Sequence, residues 1–380
     1  MSAFAPPAAA ARPRAGRQPR ISRGRLVAVE AAAGAVFGGA VLRGAIGWTV
    51  VGAGALALLL AVARRHGRWL TDLLATRLRR PVAPATGSPV LGAVASVAPR
   101  LAVAECTDRN GYPLGVAWDG QGFAAAVELD TATALRLDLG ALAARAAADD
   151  VRLAGVQVLV EQIRVPALEA AGFAPTAIYR RLAAPGLPLV RRVWVALRYE
   201  PIWAPEAAER RGEGGADGAR LAVAAALARL RVQLLGLGMS ATPLGAAALT
   251  RTLRAVGDPG ATGELRRDCW TTPAATHHCL AATVGSAADW AALLGAAAAG
   301  LADRTVVSVA ADLDGRATRT RAAVRLVTTN PAAAAQARQD LLATGLVHPL
   351  PGQQAAGVLA TLPLGGGPRP LASAIGWVAT

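Results

Sequence analysis

Two apolar runs near the N-terminus, residues 26–42 and 44–63, are separated only by Arg43 and bracketed by arginines. As one straight helix they would extend about 57 Å at 1.5 Å per residue, roughly twice the ~30 Å hydrocarbon core of a bilayer. The pattern therefore predicts two transmembrane helices, about 26–42 and 44–63, turning near Arg43-Gly44, with Arg43 snorkelling to the far interface. Glu30 lies one turn from the Arg-rich end, at headgroup level or beside an arginine. A signal peptide accounts less well for the first run, because the second follows at once with no clear cleavage site.

Charge sets the orientation. The chain contains no Lys, and all 40 of its basic residues are Arg. Residues 1–80 hold 13 Arg against Glu30 and Asp72, a net of +11, whereas residues 81–380 carry only +4. Six arginines precede the first run and six follow the second. The positive-inside rule then places both termini in the cytoplasm. Arg23, Arg25, Arg43, Arg64, Arg65, Arg68 and Trp69 become the membrane-interface residues, with acidic lipid as their partner. Residues 1–24 read as a disordered basic tail. Residues 25–64 are the hairpin, and 65–90 an amphipathic juxtamembrane segment (69–78) with a Pro- and Gly-containing linker.

Residues 91–380 read as a cytoplasmic domain of mixed α/β, α+β class. Strands are expected at 101–106, 112–118 and 123–129, divided by Asp108-Arg109-Asn110-Gly111 and Asp119-Gly120-Gln121-Gly122, since Asn-Gly and Asp-Gly between apolar runs are strong hairpin signals. A helix at 139–147 and strands at 151–162 and 192–199 follow. Residues 206–218 read as an exposed loop, 219–237 as a helix, 241–243 as a link and 244–256 as a helix. Beyond lie strand pieces within 265–284, a helix at 286–299, and strands at 305–313 and 316–329 meeting at Asp314-Gly315. Asn330 and Pro331 suit the N-cap and first position of a helix at 331–343. One or two last strands fall within 346–364. Strand pairs followed by helices occur twice, as two similar halves, 101–201 and 218–380.

Chemical motifs are sparse. Cys106, Cys269 and Cys279 should be reduced thiols in a cytoplasmic domain. Cys269, His277, His278 and Cys279 do not have a common zinc spacing, although a hairpin around 271–276 could bring the two cysteines together. Asp312-Leu313-Asp314 resembles the Asp-x-Asp of many glycosyltransferases, but Asp314-Gly315 is equally a hairpin turn. The Gly-rich 258–263 stretch has no Lys to serve a phosphate. Ser286, Asp289 and His278 lie near each other in sequence without a triad's order. His66 and His348 stand alone. Scattered arginines balanced by acids, with aromatics at 4%, argue against nucleic-acid binding. No catalytic residue, metal or cofactor is assigned.

The basic tail, paired apolar runs and Arg-rich juxtamembrane segment precede two landmarks. These are Asp108-Arg109-Asn110-Gly111-Tyr112-Pro113-Leu114-Gly115-Val116 and Arg191-Arg192-Val193-Trp194-Val195-Ala196-Leu197-Arg198-Tyr199-Glu200-Pro201. With the Gly- and acid-containing loop before Ala219 and the segment 266–280 around Trp270, the chain resembles the EccE family of actinobacterial type VII (ESX) secretion systems over roughly 20–330. The resemblance implies a non-catalytic structural subunit of an inner-membrane complex that exports small helical proteins. The EccC ATPase, EccD and EccB would be its partners. The rival expectation is a membrane-anchored glycosyltransferase-like enzyme using Asp312 and Asp314.

Overall fold

The computed structural model describes residues 23–42, 44–62, 64–65, 68–69, 91–108, 111–131, 137–164, 189–212, 214–313, 318–367 and 378–379. The chain divides into two compact units, Met1–Arg79 and Arg80–Thr380.

In the first unit, α1 (Arg23–Val41) and α2 (Ala45–Val62) form a helical hairpin, with Gly44 at φ +113° in the turn. Glycines let the helices touch. A methyl group on Gly39 would lie 2.9 Å from the Gly47 carbonyl and the Val51 amide, and one on Gly54 would lie 2.9 Å from the Val36 amide. The expected transmembrane hairpin is not supported: among the described residues no helix is long and apolar enough to cross a membrane. The physical reason is length and composition. The helices have 19 and 18 residues, about 28 and 27 Å at 1.5 Å per residue, against a ~30 Å core. In α1, Arg23, Arg25 and an exposed Glu30 occupy part of that length, and ten of the 19 residues are weakly hydrophobic Ala or Gly. After α2 the chain makes a two-stranded antiparallel ribbon of β1 (Arg64–Arg65) and β2 (Arg68–Trp69).

The second unit is built on a 13-stranded sheet whose central strands pair antiparallel throughout. Its first half contains α3 (Val94–Val97), β3 (Ala102–Thr107), β4 (Pro113–Trp118), β5 (Phe123–Leu129), α4 (Leu139–Ala147), β6 (Gly155–Arg164), β7 (Leu189–Tyr199), α5 (Pro205–Glu209), α6 (Gly215–Gly236), β8 (Ala241–Pro243) and α7 (Ala246–Gly257). The second contains β9 (Glu264–Leu265), β10 (Trp270–Thr271), β11 (Thr276–Ala282), α8 (Ala287–Ala299), β12 (Arg304–Leu313), β13 (Thr318–Thr328), α9 (Pro331–Ala343), β14 (Val347–Pro349) and α10 (Gln354–Ala360). A last strand, β15 (Val378–Ala379), pairs with β13.

Strand order is β3-β4-β5-β7-β6-β12-β13-β11-β10-β9, with β8 on β5 and β14 on β11. Apart from α5, the described elements follow the same succession in β3–α7 and in β9–α10. The repeats meet where β6 and β12 run antiparallel through nine residue pairs, with Leu159 opposite Ser308 at the middle.

Alternation along the central strands decides what each face must bury. Val156, Val158 and Val160 of β6, Val193, Val195 and Leu197 of β7, and Val307, Val309 and Ala311 of β12 point into one apolar core. Helices α4, α6, α8 and α9 cover it through Leu142, Leu227, Leu293 and Leu341. The other face holds Leu159, Trp194 and Val306 beneath Val94 of α3, Leu249 and Leu253 of α7, and Leu359 of α10. It also carries charged residues, and the chain after α10 crosses it. Gly365, Gly366 and Gly367 there have φ of +69°, +94° and +76°, a left-handed run that suits glycine.

Three segments differ from the sequence expectation. Residues 205–209 and 215–218 are helical, because Pro205 starts α5 and Ala207 and Ala208 are buried. Tertiary contact recruits them: the Tyr199 hydroxyl donates to the Ala204 carbonyl and accepts the Ala208 N–H at 3.2 Å. Residues 241–243 form β8, paired with Val127–Leu129. Of the one or two strands expected within 346–364, one forms as β14, and residues 354–360 are helix, set by burial of Val358 and Leu359 against the sheet.

Where the post-α10 strap crosses β6, Gly155 leaves no room for a side chain: a methyl would sit 2.8 Å from the Gly365 carbonyl. Gly155→Ala should therefore lower the unfolding free energy by roughly 1–3 kcal/mol, the usual cost of overpacking, read from a urea-denaturation midpoint.

Candidate functional site

The second face of the sheet is the chemically distinctive part of the molecule. Arg198, Arg304, Arg321, Arg325, Glu161, Asp312 and Gln157 project from the four central strands and are all buried. They form two groups at opposite ends of β6 and β12.

At the Gly155 end, Arg198 Nη1 meets Asp119 at 2.6 Å and its Nε meets Glu200 at 2.7 Å. Burial pulls the Arg198 guanidinium down, but the Asp119 and Glu200 carboxylates outweigh it and hold it above its ordinary range. Arg321 grips Asp312 with two bonds of 2.8 and 2.6 Å and gives Nη1 to the Gly366 carbonyl at 2.8 Å. Between them Gln157 Nε2 donates to Ser308 Oγ and to the Ala360 carbonyl, both at 2.8 Å, and its Oε1 accepts the Gly366 N–H at 3.1 Å. These side chains fasten the glycine strap to the sheet.

At the other end two arginines face the C-terminus of α7. Arg325 donates Nη2 to the Val256 carbonyl at 2.6 Å and Nη1 to Gly257 at 3.1 Å, and reaches Thr361, just past α10, at 3.4 Å. Arg304 bonds the carbonyls of Ala255 and Gly257 and lies 3.3 Å from Glu161. The carbonyls left open at a helix C-terminus attract cations, so the pair acts as a buried C-cap. Every bond that holds Arg325 among the described residues ends on a backbone carbonyl. Burial and the nearby Arg304 push its guanidinium down to about 10.

Asp258, the residue after α7, would be unfavourable at that end of the helix without partners. It has three: His277 Nε2 at 3.0 Å, Thr272 Oγ1 at 2.8 Å and the Gly260 N–H at 2.7 Å. Burial opposes the Asp258 carboxylate, but these contacts hold it below its ordinary range. Burial pushes the His277 imidazole down to about 4, with Arg325 and Arg304 adding to the effect and Asp258 opposing it. Its Nδ1 has no partner among the described residues, and Trp270 packs on the ring with centroids 4.5 Å apart.

Most sequence-singled residues do not assemble. Cys269 and Cys279 are separate free thiols. The β10–β11 register pairs Trp270 with His277, which carries Cys269 toward His278. Gln354 holds the backbone of Cys279 through N–H and carbonyl bonds of 2.9 and 3.2 Å. Burial pushes the Cys279 thiol up to about 12. His278 Nδ1 donates to the Asp268 carbonyl. Among the described residues no group of three His, Cys, Asp or Glu is placed to hold a metal ion. Ser286 caps α8 by accepting the Asp289 N–H, and Asp289 accepts the Gly285 N–H, so both serve the helix start. His348 lies on β14 opposite Ala281. Asp312 has both oxygens on Arg321, which opposes a metal-binding role for it; Asp314 lies outside the described residues. Of the interface arginines, Arg23 and Arg25 open α1, and Arg64, Arg65, Arg68 and Trp69 lie in the β1–β2 ribbon. Arg43, His66 and nearly all of 69–78 are outside the described residues.

Sequence reading missed Asp258 and the buried arginines. An acid directly after a helix followed by Pro-Gly was a usable sign for Asp258. Nothing local marks Arg325 as buried, since arginine on a strand usually reads as solvent-facing.

Two measurements test the site. Removing one partner of a buried ion pair leaves an uncompensated charge, so Asp312→Ala should cost about 3–5 kcal/mol. The double change Asp312→Leu with Arg321→Met should recover most of it in a denaturant titration. The second test is pH. In the unfolded chain His277 titrates near 6.5, and in the folded protein near 4, so between these values only the unfolded state takes the proton. The stability that His277 contributes is complete above pH 6.5 and falls as pH drops toward 4. Thermal unfolding should show this decline, and His277→Gln should flatten it.

No curated protein matches the chain. A family model matches residues 187–283, a quarter of the chain, running from β7 to β11 and containing Arg198, Asp258, Trp270 and His277. That model is described as "Putative type VII ESX secretion system translocon, EccE", and over this stretch the chain is similar to the EccE component of type VII secretion systems.

Proposed function

We propose that the protein is a non-catalytic structural subunit of a type VII (ESX) secretion membrane complex and supports export of small helical proteins. The family match over 187–283 carries this reading. The chemistry of the buried face supports it. Arg198, Arg321 and Asp312 are engaged in internal ion pairs, and Arg304 and Arg325 bond helix-end carbonyls. Such contacts hold a fixed shape and offer little to a substrate. Residues 91–380 form the cytoplasmic part, and EccC, EccD and EccB are its partners at the inner membrane. Acidic lipid headgroups meet the basic N-terminal region at Arg23, Arg25, Arg43, Arg64, Arg65, Arg68 and Trp69. Nucleic acid has no part in this function.

The test is a mild-detergent pull-down of a C-terminally tagged copy from native membranes, with the co-purifying proteins identified. A large assembly containing a multidomain ATPase and a multispanning protein is the expected outcome. A tagged protein recovered alone under conditions that keep the rest of the secretion complex intact would refute the assignment.

A further inference from the structure

We propose that the open edge of β3 pairs with the same edge of a second copy of this chain, giving a two-fold symmetric dimer with one continuous sheet. β3 stands at the end of the strand order and pairs with β4 alone. Two hydrogen bonds fix which way its backbone points. The Asp108 N–H donates to the Tyr112 carbonyl across the hairpin turn, and the Gly115 N–H, opposite Glu105, turns away from β3 to the Leu244 carbonyl. Alternation in an antiparallel pair then gives the even-numbered residues of β3 to β4 and aims the N–H and C=O of Val103 and Glu105 outward. Among the described residues these outward groups have no backbone partner.

Nothing in the strand blunts this edge. Folded proteins guard an exposed edge with Pro, a bulge, basic side chains or a very short strand. β3 has six residues, pairs with β4 without a bulge and carries one charged side chain, Glu105. Val103 on one face and Cys106 on the other are half-buried at the margins of the two cores, which leaves apolar surface for a neighbouring strand to cover. The far edge of the sheet is different: β9 has two residues, with Glu264 paired to Arg266.

A row of outward backbone donors and acceptors takes an extended strand, and β3 is complementary to itself. With a two-fold axis at Ala104, Val103 of each copy exchanges both backbone bonds with Glu105 of the other, and the Thr107 N–H meets the Leu101 carbonyl. This register uses the whole strand, sets the small Ala104 against its own copy and places each Glu105 opposite a valine. Moving the axis to Glu105 would set carboxylate directly against carboxylate, which is destabilising. Moving it to Val103 would leave Thr107 without a partner. Because β9 is too short to receive β3, the contact closes as a dimer and does not run on head to tail.

Cross-linking and sedimentation equilibrium of the full-length chain in mild detergent test the proposal. Ala104 meets its own copy in the narrow, non-hydrogen-bonded kind of pair, with Cα atoms about 4.5 Å apart and within reach of a disulfide. In a Cys106→Ser background, Ala104→Cys should give a disulfide-linked dimer under mild oxidation, and Ala102→Cys, which faces residue 106, should not. Sedimentation should show a dimer that dissociates on dilution. Glu105→Pro removes an outward N–H that β4 does not use, so the fold should persist, as circular dichroism checks, while the dissociation constant rises roughly tenfold or more. A monomer at every concentration would overturn the proposal and leave the edge to a strand of a different protein. A dimer equally tight in Glu105→Pro, or linked no better through Ala104→Cys than through Ala102→Cys, would also overturn it, placing the contact elsewhere.

Discussion

The nine residue pairs between β6 and β12 are the constraint on which the rest of the second unit depends. They join two successions of strands and helices into one sheet. The four strands around this seam are flanked on both sides and must be covered on both faces. One face meets that need with valines under four helices. The other places arginines and carboxylates where solvent cannot reach them, and the surrounding structure has to neutralise what it buries.

It does so with backbone as much as with ion pairs. Arg198 and Arg321 have carboxylates, whereas Arg325 bonds carbonyls at the ends of α7 and α10. A guanidinium suits this task because it presents five donors in a fixed plane. Buried ion pairs add little net stability compared with apolar residues of the same volume, but losing one partner is costly. Their consequence here is positional. The ends of α7 and α10 are held against the sheet by specific bonds, and the chain beyond each helix, Asp258–Gly260 in one case and Gly365–Gly367 in the other, is shaped to reach them.

The first unit shows the opposite balance. Its helices approach through glycines, and Phe37, Val41, Ile46 and Trp48 remain more than three-quarters exposed. Among the described residues neither helix combines the length and the apolarity that crossing a bilayer requires. In α1 apolar composition alone overstated the segment, because Ala and Gly count as apolar while contributing little hydrophobic free energy per residue.

Much of the local structure followed from the sequence itself. The strand at 123–129, the helices at 139–147 and 331–343, and the turns at Asp108 and Asp119 rest on apolar runs between turn signals, capping residues and Gly placement, all short-range effects. The family resemblance was likewise legible in the strand around Trp194 and the segment around Trp270. Tertiary structure alone decided the rest. Residues 241–243 are a strand because β5 has a free edge there, and 354–360 are a helix because Val358 and Leu359 find an apolar floor. Arg325 is buried because carbonyls from two helix ends converge on it. The side-chain partners of Asp258 lie 14 and 19 residues away, the partners of Arg198 up to 166, and no pattern within a window of sequence encodes such meetings.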